Sequence, residues 1–414
     1  MNVWIVNHYA IPPSLGGLVR HYYFSKYLKQ DGHKVKIFTS SKIHNTDVNM
    51  IQDGSLYNEM MMDGVEYTFV RSRDYRGNGL DRIFNMIDFP FKMWKVMRTF
   101  YLSEKPDVIY ASTPDVFTAF FAIIFSRKRR IPIITEVRDL WPQSLVEYNK
   151  MSSKNPIIQV LYQLEKWIYK KSDRLIFTMS EGKEYIKDRG WEKQINLKKV
   201  GYINNGVDIE EFEENCLKYQ VTDEDLERTD IFKVIYMGSV RKANNLGFLI
   251  EAAEYLKDRE DILILIYGDG TEKKQLEEKC KKLGLRVKFK GRVEKKYVPY
   301  ILRKSNLNLI NIKETRLNKY GCSWNKLFEY MASGRPILCN LPVADDLIEE
   351  YKLGVTRRFC SARDYADSIL EFCKLPPEQY DTFCSNAKRC AAEFDYKKLS
   401  KKVERVLSDV CETG

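Results

Sequence analysis

The sequence predicts an α/β protein of two domains, each a mostly parallel sheet wound with helices, and three observations carry that prediction. The chain has 414 residues, too many for one ordinary hydrophobic core. Apolar runs of strand length alternate with helix-period segments almost from end to end, as in repeated βαβ units. A polar, acidic stretch at 209–230 interrupts that series near the middle and reads as a linker region. The break argues for two open sheets and against the runner-up, one (β/α)8 barrel.

Residues 3–7 form the first strand, followed by a loop with Gly16 and Gly17, an amphipathic helix to about Gln30, and a strand at 34–40. Glycines after a first strand let backbone approach a diphosphate, although most Gly-Gly pairs are only turns. No GxGxxG pattern occurs, so a plain dinucleotide dehydrogenase lacks its main support. Residues 41–66 read as an irregular excursion before a strand at 67–70.

From Phe91 to Tyr101, Lys92, Lys95 and Arg98 fall on one helical face, while Phe91, Met93, Trp94, Val96, Met97, Phe100 and Tyr101 cover the rest. This is either an interfacial helix or a core helix with a snorkelling basic face. Strands at 107–112 and 131–136 flank a short apolar helix, 116–125, about half the length needed to span a membrane. EVRDLWPQS, 136–144, sets Arg138 and Asp139 just past the second strand, in the usual ligand crevice of an open α/β sheet. A structural ion pair at a turn is the alternative. Strands at 174–179 and 200–205 close this half with NNGVD.

The second series has strands at 232–237, 262–267, 287–290, 307–312 and 336–340. Asp223-Glu224-Asp225 mimics a metal-binding DxD, but no strand precedes it and solvated linker acids are common. The centre of this half is 318–340, NKYGCSWNKLFEYMASGRPILCN, which reads as loop, helix, turn and buried strand. Ser323 or Asn325 is expected to cap the helix; Leu327, Phe328 and Met331 recur at helical spacing, and Gly334 closes it. Lys326 and Glu329 sit on one side of the first turns. With the helix N-terminus they suit a ligand bearing an anionic and a hydroxyl-rich group, which describes a nucleotide sugar. An ordinary amphipathic helix with solvated charges is the alternative. A last amphipathic helix lies at 394–407.

The formal charge of +11 fits nucleic acid, an anionic membrane surface or phosphorylated substrates. Lysines occur in scattered pairs, 198–199, 273–274 and 295–296, without an aromatic-interleaved basic motif, which argues against nucleic acid. All nine cysteines lie from Cys216 onward with no CxxC pair, and the four histidines lie within the first 44 residues, so no structural zinc spacing can be built. Free thiols in a reducing compartment follow. The opening MNVWIVNHY runs straight into a strand, and a cytosolic location is expected.

Taken in order, the motifs are Gly16-Gly17, EVRDLWPQS, NGVD at 205–208, MGSVRKANNL at 237–246, YGDG at 267–270, KGRV at 290–293 and NKLFEYMASGRP at 325–336. With these the sequence resembles the retaining glycosyltransferases of family 4. EVRDLWPQS and NKLFEYMASGRP are most similar to the bacterial capsule and O-antigen branch that includes fucosamine transferases. The resemblance implies the GT-B architecture, two facing Rossmann-like domains with a C-terminal helix crossing back to the first. Residues 1–208 with 395–414 would form the acceptor side and 209–394 the nucleotide-sugar side.

Gly238 would permit close approach, and Arg241 or Lys242, with Lys326, would pair with the diphosphate. Glu329 would accept from the ribose, Val293 and Gly268-Asp269-Gly270 would lie by the base, and Ser323, Asn325 and Leu327 belong to the same donor wall. Gly16 and Gly17 would close over the phosphates, and Asp139 with Arg138 would face donor or acceptor. The implied reaction moves a sugar, possibly deoxy or N-acetylated amino, from a UDP-linked donor to a lipid-linked saccharide at the inner membrane surface. It needs no metal or cofactor beyond the nucleotide sugar, and no nucleic acid.

Two departures stand out: Arg138 where the family often has His, and Gly321 where it often has a Glu for the donor sugar. The rival readings are a nucleotide-sugar epimerase of the same fold and a non-catalytic basic protein that binds membrane or nucleic acid.

Overall fold

Val3, Trp4, Ile5 and Val6 have almost no exposed surface because β1 (Asn2–Asn7) lies between two parallel neighbours, with helices over the sheet. A strand covered on both faces reads as a continuous apolar run, which is why the sequence announces it. The structure, a computed structural model, describes residues 1–44, 46–75, 77, 79–113, 115–149, 151–321 and 323–413. The chain divides into two units, Met1–Asn204 with Tyr396–Gly414, and Asn205–Asp395.

The first unit continues through α1 (Arg20–Gln30), β2 (Lys34–Ser40), β3 (Tyr57–Met62), β4 (Val65–Val70), α2 (Leu80–Ser103), β5 (Val108–Ser112) and α3 (Val116–Arg129). Then come β6 (Ile133–Val137), α4 (Gln143–Asn149), α5 (Pro156–Lys171), β7 (Arg174–Phe177), α6 (Gly182–Asp188) and β8 (Val200–Tyr202). The sheet order is β3-β4-β2-β1-β5-β6-β7-β8, parallel except for the β3–β4 hairpin.

That hairpin corrects the irregular reading for 57–66, while the described residues of 41–56 lie outside any strand or helix. It turns at Asp63 and Gly64, both with positive φ (49° and 78°), the Asp-Gly signature of a tight hairpin. β3 is an edge strand with only one neighbour, so its polar and Met-rich sequence carries no buried run. α2 also begins eleven residues before Phe91, at Leu80, and continues through Pro90. Phe89, Met93, Val96 and Met97 are fully buried, so its inner face is core, while Lys95 and Arg98 stay exposed.

The second unit begins with α7 (Ile209–Lys218) and α8 (Glu224–Glu227) and continues β9 (Phe232–Met237), α9 (Leu246–Glu254), β10 (Ile262–Tyr267), α10 (Lys273–Leu283) and β11 (Val287–Gly291). It ends with α11 (Val298–Arg303), β12 (Leu307–Ile310), α12 (Asn325–Ser333), β13 (Ile337–Cys339), α13 (Leu347–Glu350), β14 (Gly354–Thr356), α14 (Ala362–Cys373) and α15 (Pro377–Ala391). Its six strands are all parallel, in the order β11-β10-β9-β12-β13-β14. Val234, Tyr236, Ile264 and Ile266 pack into one apolar layer; Ile235, Met237, Leu265 and Tyr267 pack into the other. Two open sheets exclude the barrel.

The stretch read as a linker is folded instead. Asp208 caps α7 and Asp223 caps α8 through backbone N–H groups. Asp223 and Asp225 bind the Lys290 ammonium at 2.7 and 2.6 Å, and Lys288 adds a third contact. The DxD mimic is thus an ion-paired support for α8. Among the described residues, no group of three or more acidic, His or Cys side chains is placed to hold a metal ion.

The first unit closes on α16 (Tyr396–Thr413), whose Tyr396 stacks on Tyr23 of α1 at 4.6 Å. Beside it, Arg20 donates to Glu136 at 2.8 Å and to the Ile203 and Asn204 carbonyls. Glu136 also accepts from Tyr110 (2.5 Å) and Ser112 (2.9 Å), and lies 3.1 Å from His21. Burial alone would raise this carboxyl, but Arg20 and His21 hold it well below the usual range. Removing one partner of such a pair strands the other charge. Arg20→Leu should lower stability by about 3–5 kcal/mol in urea unfolding, and Arg20→Leu with Glu136→Leu should recover much of that loss. Equal loss in both would show that the pair itself is not the cause.

Candidate functional site

At the carboxyl edge of the second sheet, the loops after β9 and β10 meet backbone to backbone. A Cβ on Gly268 (φ 138°) would stand 1.8 Å from the Gly238 carbonyl oxygen, so only glycine fits. Gly238 (φ 152°) donates its N–H to Tyr267, and Val240 donates to Asp269. A Cβ on Gly238 would meet the Lys326 ammonium at 3.1 Å. Gly238 therefore leaves space in front of Lys326, while its own N–H is occupied.

α12 delivers Lys326 to this spot. Neither Ser323 nor Asn325 caps the helix: Trp324 occupies the cap position without a side-chain bond, and Asn325 is the first helical residue. Ser323 is engaged elsewhere, its hydroxyl accepting from the Asn205 N–H at 2.6 Å and its carbonyl from the Asn205 amide. Lys326 Nζ lies 3.1 Å from the Tyr236 hydroxyl, 3.4 Å from Asn244 Oδ1 and 4.4 Å above the Tyr236 ring. Burial lowers its pKa to about 8. Among the described residues no carboxylate lies within ion-pair distance of it. A partly accessible ammonium with only neutral neighbours is suited to an incoming anion.

One turn along α12, Glu329 is in close contact with Lys295, which follows β11. Leu327 turns into the core, with 4% of its surface exposed. Arg241 is half-buried and Lys242 exposed on the loop that carries Asn244; Asp269 is exposed on the neighbouring loop, and Val293 is half-buried against the core. Tyr236, Asn244 and Lys295 were missed in the sequence. Tyr236 is indistinguishable there from a core strand residue, and Lys295 from one more surface lysine pair.

Gly321 has φ 85°, a conformation that a Glu would adopt only under strain. Glu314, the carboxylate seven residues before it, pairs with Arg358 at 2.7 Å. In the first unit, Gly16 is half-buried and Gly17 exposed after β1, and Arg138 and Asp139 follow β6. Arg138 is half-buried with Nε 4.0 Å from Glu136, while Asp139 is exposed. A buried polar set that carried no sequence signal lies by the end of β1: His8 contacts Asp115 at 3.2 Å and Asn85 at 2.7 Å.

Residues 15–211 match the family described as Glycosyltransferase Family 4, and residues 221–390 match the one described as Glycosyl transferases group 1. Among solved structures the chain is similar to sucrose-phosphate synthase from Thermosynechococcus elongatus, with a TM-score of 0.75 and 14% identity over 100% of both chains. It is also similar to Anabaena Alr3699/HepE in complex with UDP (TM-score 0.69, 15% identity, 99% of this chain and 100% of that one). A third is WaaG, a glycosyltransferase involved in lipopolysaccharide biosynthesis (TM-score 0.64, 12% identity, 98% of this chain and 99% of that one). No curated protein matches the chain in sequence.

Two Rossmann-like units with these matches define the GT-B class. The chain is a glycosyltransferase of that fold. The non-catalytic reading is thereby set aside.

The Lys326 environment makes a pH prediction. The ammonium form attracts a diphosphate, and with a free-protein pKa of about 8 that form is nearly complete a unit below, half-populated at pH 8 and declining above it. Calorimetric UDP affinity should therefore hold to about a unit below that pKa and then fall, by up to about tenfold per unit. Lys326→Arg, which keeps its charge, should remove the fall. The same decline in wild type and Lys326→Arg would clear Lys326 of responsibility.

Proposed function

We propose that the protein transfers a sugar, with retention of configuration, from a UDP-linked donor to a lipid-linked saccharide at a cytoplasmic membrane surface. The observation that carries this reading is the Lys326 ammonium, held in front of Gly238 with no carboxylate partner among the described residues. HepE, with UDP in its structure, and WaaG, named for lipopolysaccharide biosynthesis, are consistent with the nucleotide and with the acceptor class.

In this reading Lys326 and Arg241 neutralise the diphosphate as the bond from the anomeric carbon to the β-phosphate oxygen breaks. The acceptor hydroxyl oxygen bonds to the same face of that carbon, and its proton passes to the departing phosphate. UDP and the extended saccharide result, with no side-chain nucleophile and no metal. Glu329 accepts from ribose hydroxyls after exchanging its contact with Lys295, and Val293 with the Gly268-Asp269-Gly270 turn borders the base. Arg138 and Asp139 are assigned to the acceptor. With Gly321 providing no carboxylate and Glu314 engaged by Arg358, the sugar pocket favours a deoxy or N-acetylated amino sugar over glucose.

Incubation with labelled UDP-sugars and a lipid-diphosphate saccharide tests this. Deoxy-amino donors should be transferred in preference to UDP-glucose, and Lys326→Ala and Arg241→Ala should each slow transfer by roughly a hundredfold or more while remaining folded. Preference for UDP-glucose would overturn the donor assignment. Wild-type turnover in folded Lys326→Ala would overturn the site, and epimerised donor without transfer would support the epimerase.

A further inference from the structure

Many of the exposed apolar residues of the first unit gather on one helix. Leu80, Ile83, Phe84, Ile87 and Phe91 of α2 are 72, 49, 51, 38 and 53% exposed. Their spacing places all five on one helical face, opposite the buried Phe89, Met93 and Val96. Steps of three and four residues extend that same face through Trp94 and Arg98 to Tyr101. Its first three turns are thus apolar, and its last turns are aromatic and basic.

The neighbouring helices broaden the surface. α3 lies beside α2, with Phe121 at 4.4 Å from Phe91, and α5 lies beside α3, with Trp167 at 5.0 Å from Phe120. α5 adds Ile157 and Val160, 66 and 67% exposed. Contiguous exposed apolar surface of this kind is uncommon without a partner.

The charges identify the partner. Arg98 and Lys128 lie 4.9 and 5.6 Å from the Trp94 ring, and Arg129 and Lys105 lie 4.7 and 5.8 Å from the Tyr101 ring. Among the described residues none of these four cations has a carboxylate within ion-pair distance. A second copy seated on this face by twofold symmetry would bring uncompensated cations together. An anionic bilayer instead offers hydrocarbon to the apolar turns, headgroup phosphates to the cations and an interface to Trp94 and Tyr101. Among the described residues no helix is long and apolar enough to cross a membrane.

We infer that the outer face of α2, flanked by α3 and α5, docks the protein on anionic phospholipid. The inference deepens the lipid-linked acceptor reading and rests on it for its biological sense, but its test is independent of catalysis. It moves the membrane contact from the segment 91–101 alone to a longer face that begins at Leu80.

The test is flotation with vesicles of phosphatidylcholine alone or mixed equally with phosphatidylglycerol, at low and high salt. Wild type should bind the mixed vesicles, and salt should weaken the binding. Phe84→Gln with Ile87→Gln should lower the affinity about tenfold or more. Arg98→Glu with Lys128→Glu should lower it about tenfold or more on mixed vesicles only. Both variants should keep wild-type transfer to a soluble, delipidated saccharide, which separates failure of docking from failure of the enzyme. No wild-type binding, or wild-type affinity in both folded variants, overturns the proposal. A wild-type dimer that Phe84→Gln with Ile87→Gln converts to monomer, with vesicle binding unchanged, assigns the face to a second copy and likewise overturns it.

Discussion

The site in the second unit depends on one electrostatic constraint, an ammonium placed where it is poorly solvated and, among the described residues, paired with no carboxylate. Lys326 leans on the Tyr236 ring and hydroxyl and on the Asn244 amide oxygen, which stabilise a cation without neutralising it. Burial lowers its pKa to about 8. The arrangement requires α12 to begin at that place and requires the Gly238 and Gly268 loops to interlock with no side chain between them. An anion entering there meets a prepaid electrostatic environment rather than one it must organise.

The first unit solves a different problem. Glu136 is fully buried at the end of β6, surrounded by donors from α1 and β5, and Arg20 links it to the carbonyls of Ile203 and Asn204. Arg138, two residues later, takes its place beside this saturated carboxylate. The polar edge of the sheet is therefore held rigidly while Asp139 remains accessible.

Legibility in the sequence followed burial. β2, β9 and β10 have the same bounds in sequence and structure because nearly all their residues are buried: β10 is an uninterrupted apolar run, and β2 and β9 keep apolar runs despite the lysines at 34, 36 and 233. β3 was lost because an edge strand leaves half its residues in water. The helices α7 and α8 were lost because acidic residues that cap and pair look like linker acids until their lysine partners, distant in sequence, are seen. Within the site, Lys326 and Glu329 could be singled out from helical spacing. The partners that define their chemistry, Tyr236, Asn244 and Lys295, come from other strands and loops, and periodicity within one segment carries no information about them. The same holds for Ser323, whose capping role is displaced by a contact to Asn205, more than a hundred residues away.

The measurement that tests the central claim most directly is a crystal structure with UDP bound. The account predicts the diphosphate within hydrogen-bond distance of Lys326 Nζ, in the space that Gly238 leaves open, and the ribose hydroxyls on Glu329 with Lys295 withdrawn. UDP bound elsewhere, or bound with Lys326 still resting on Tyr236 and Asn244 and Glu329 still held by Lys295, would contradict it.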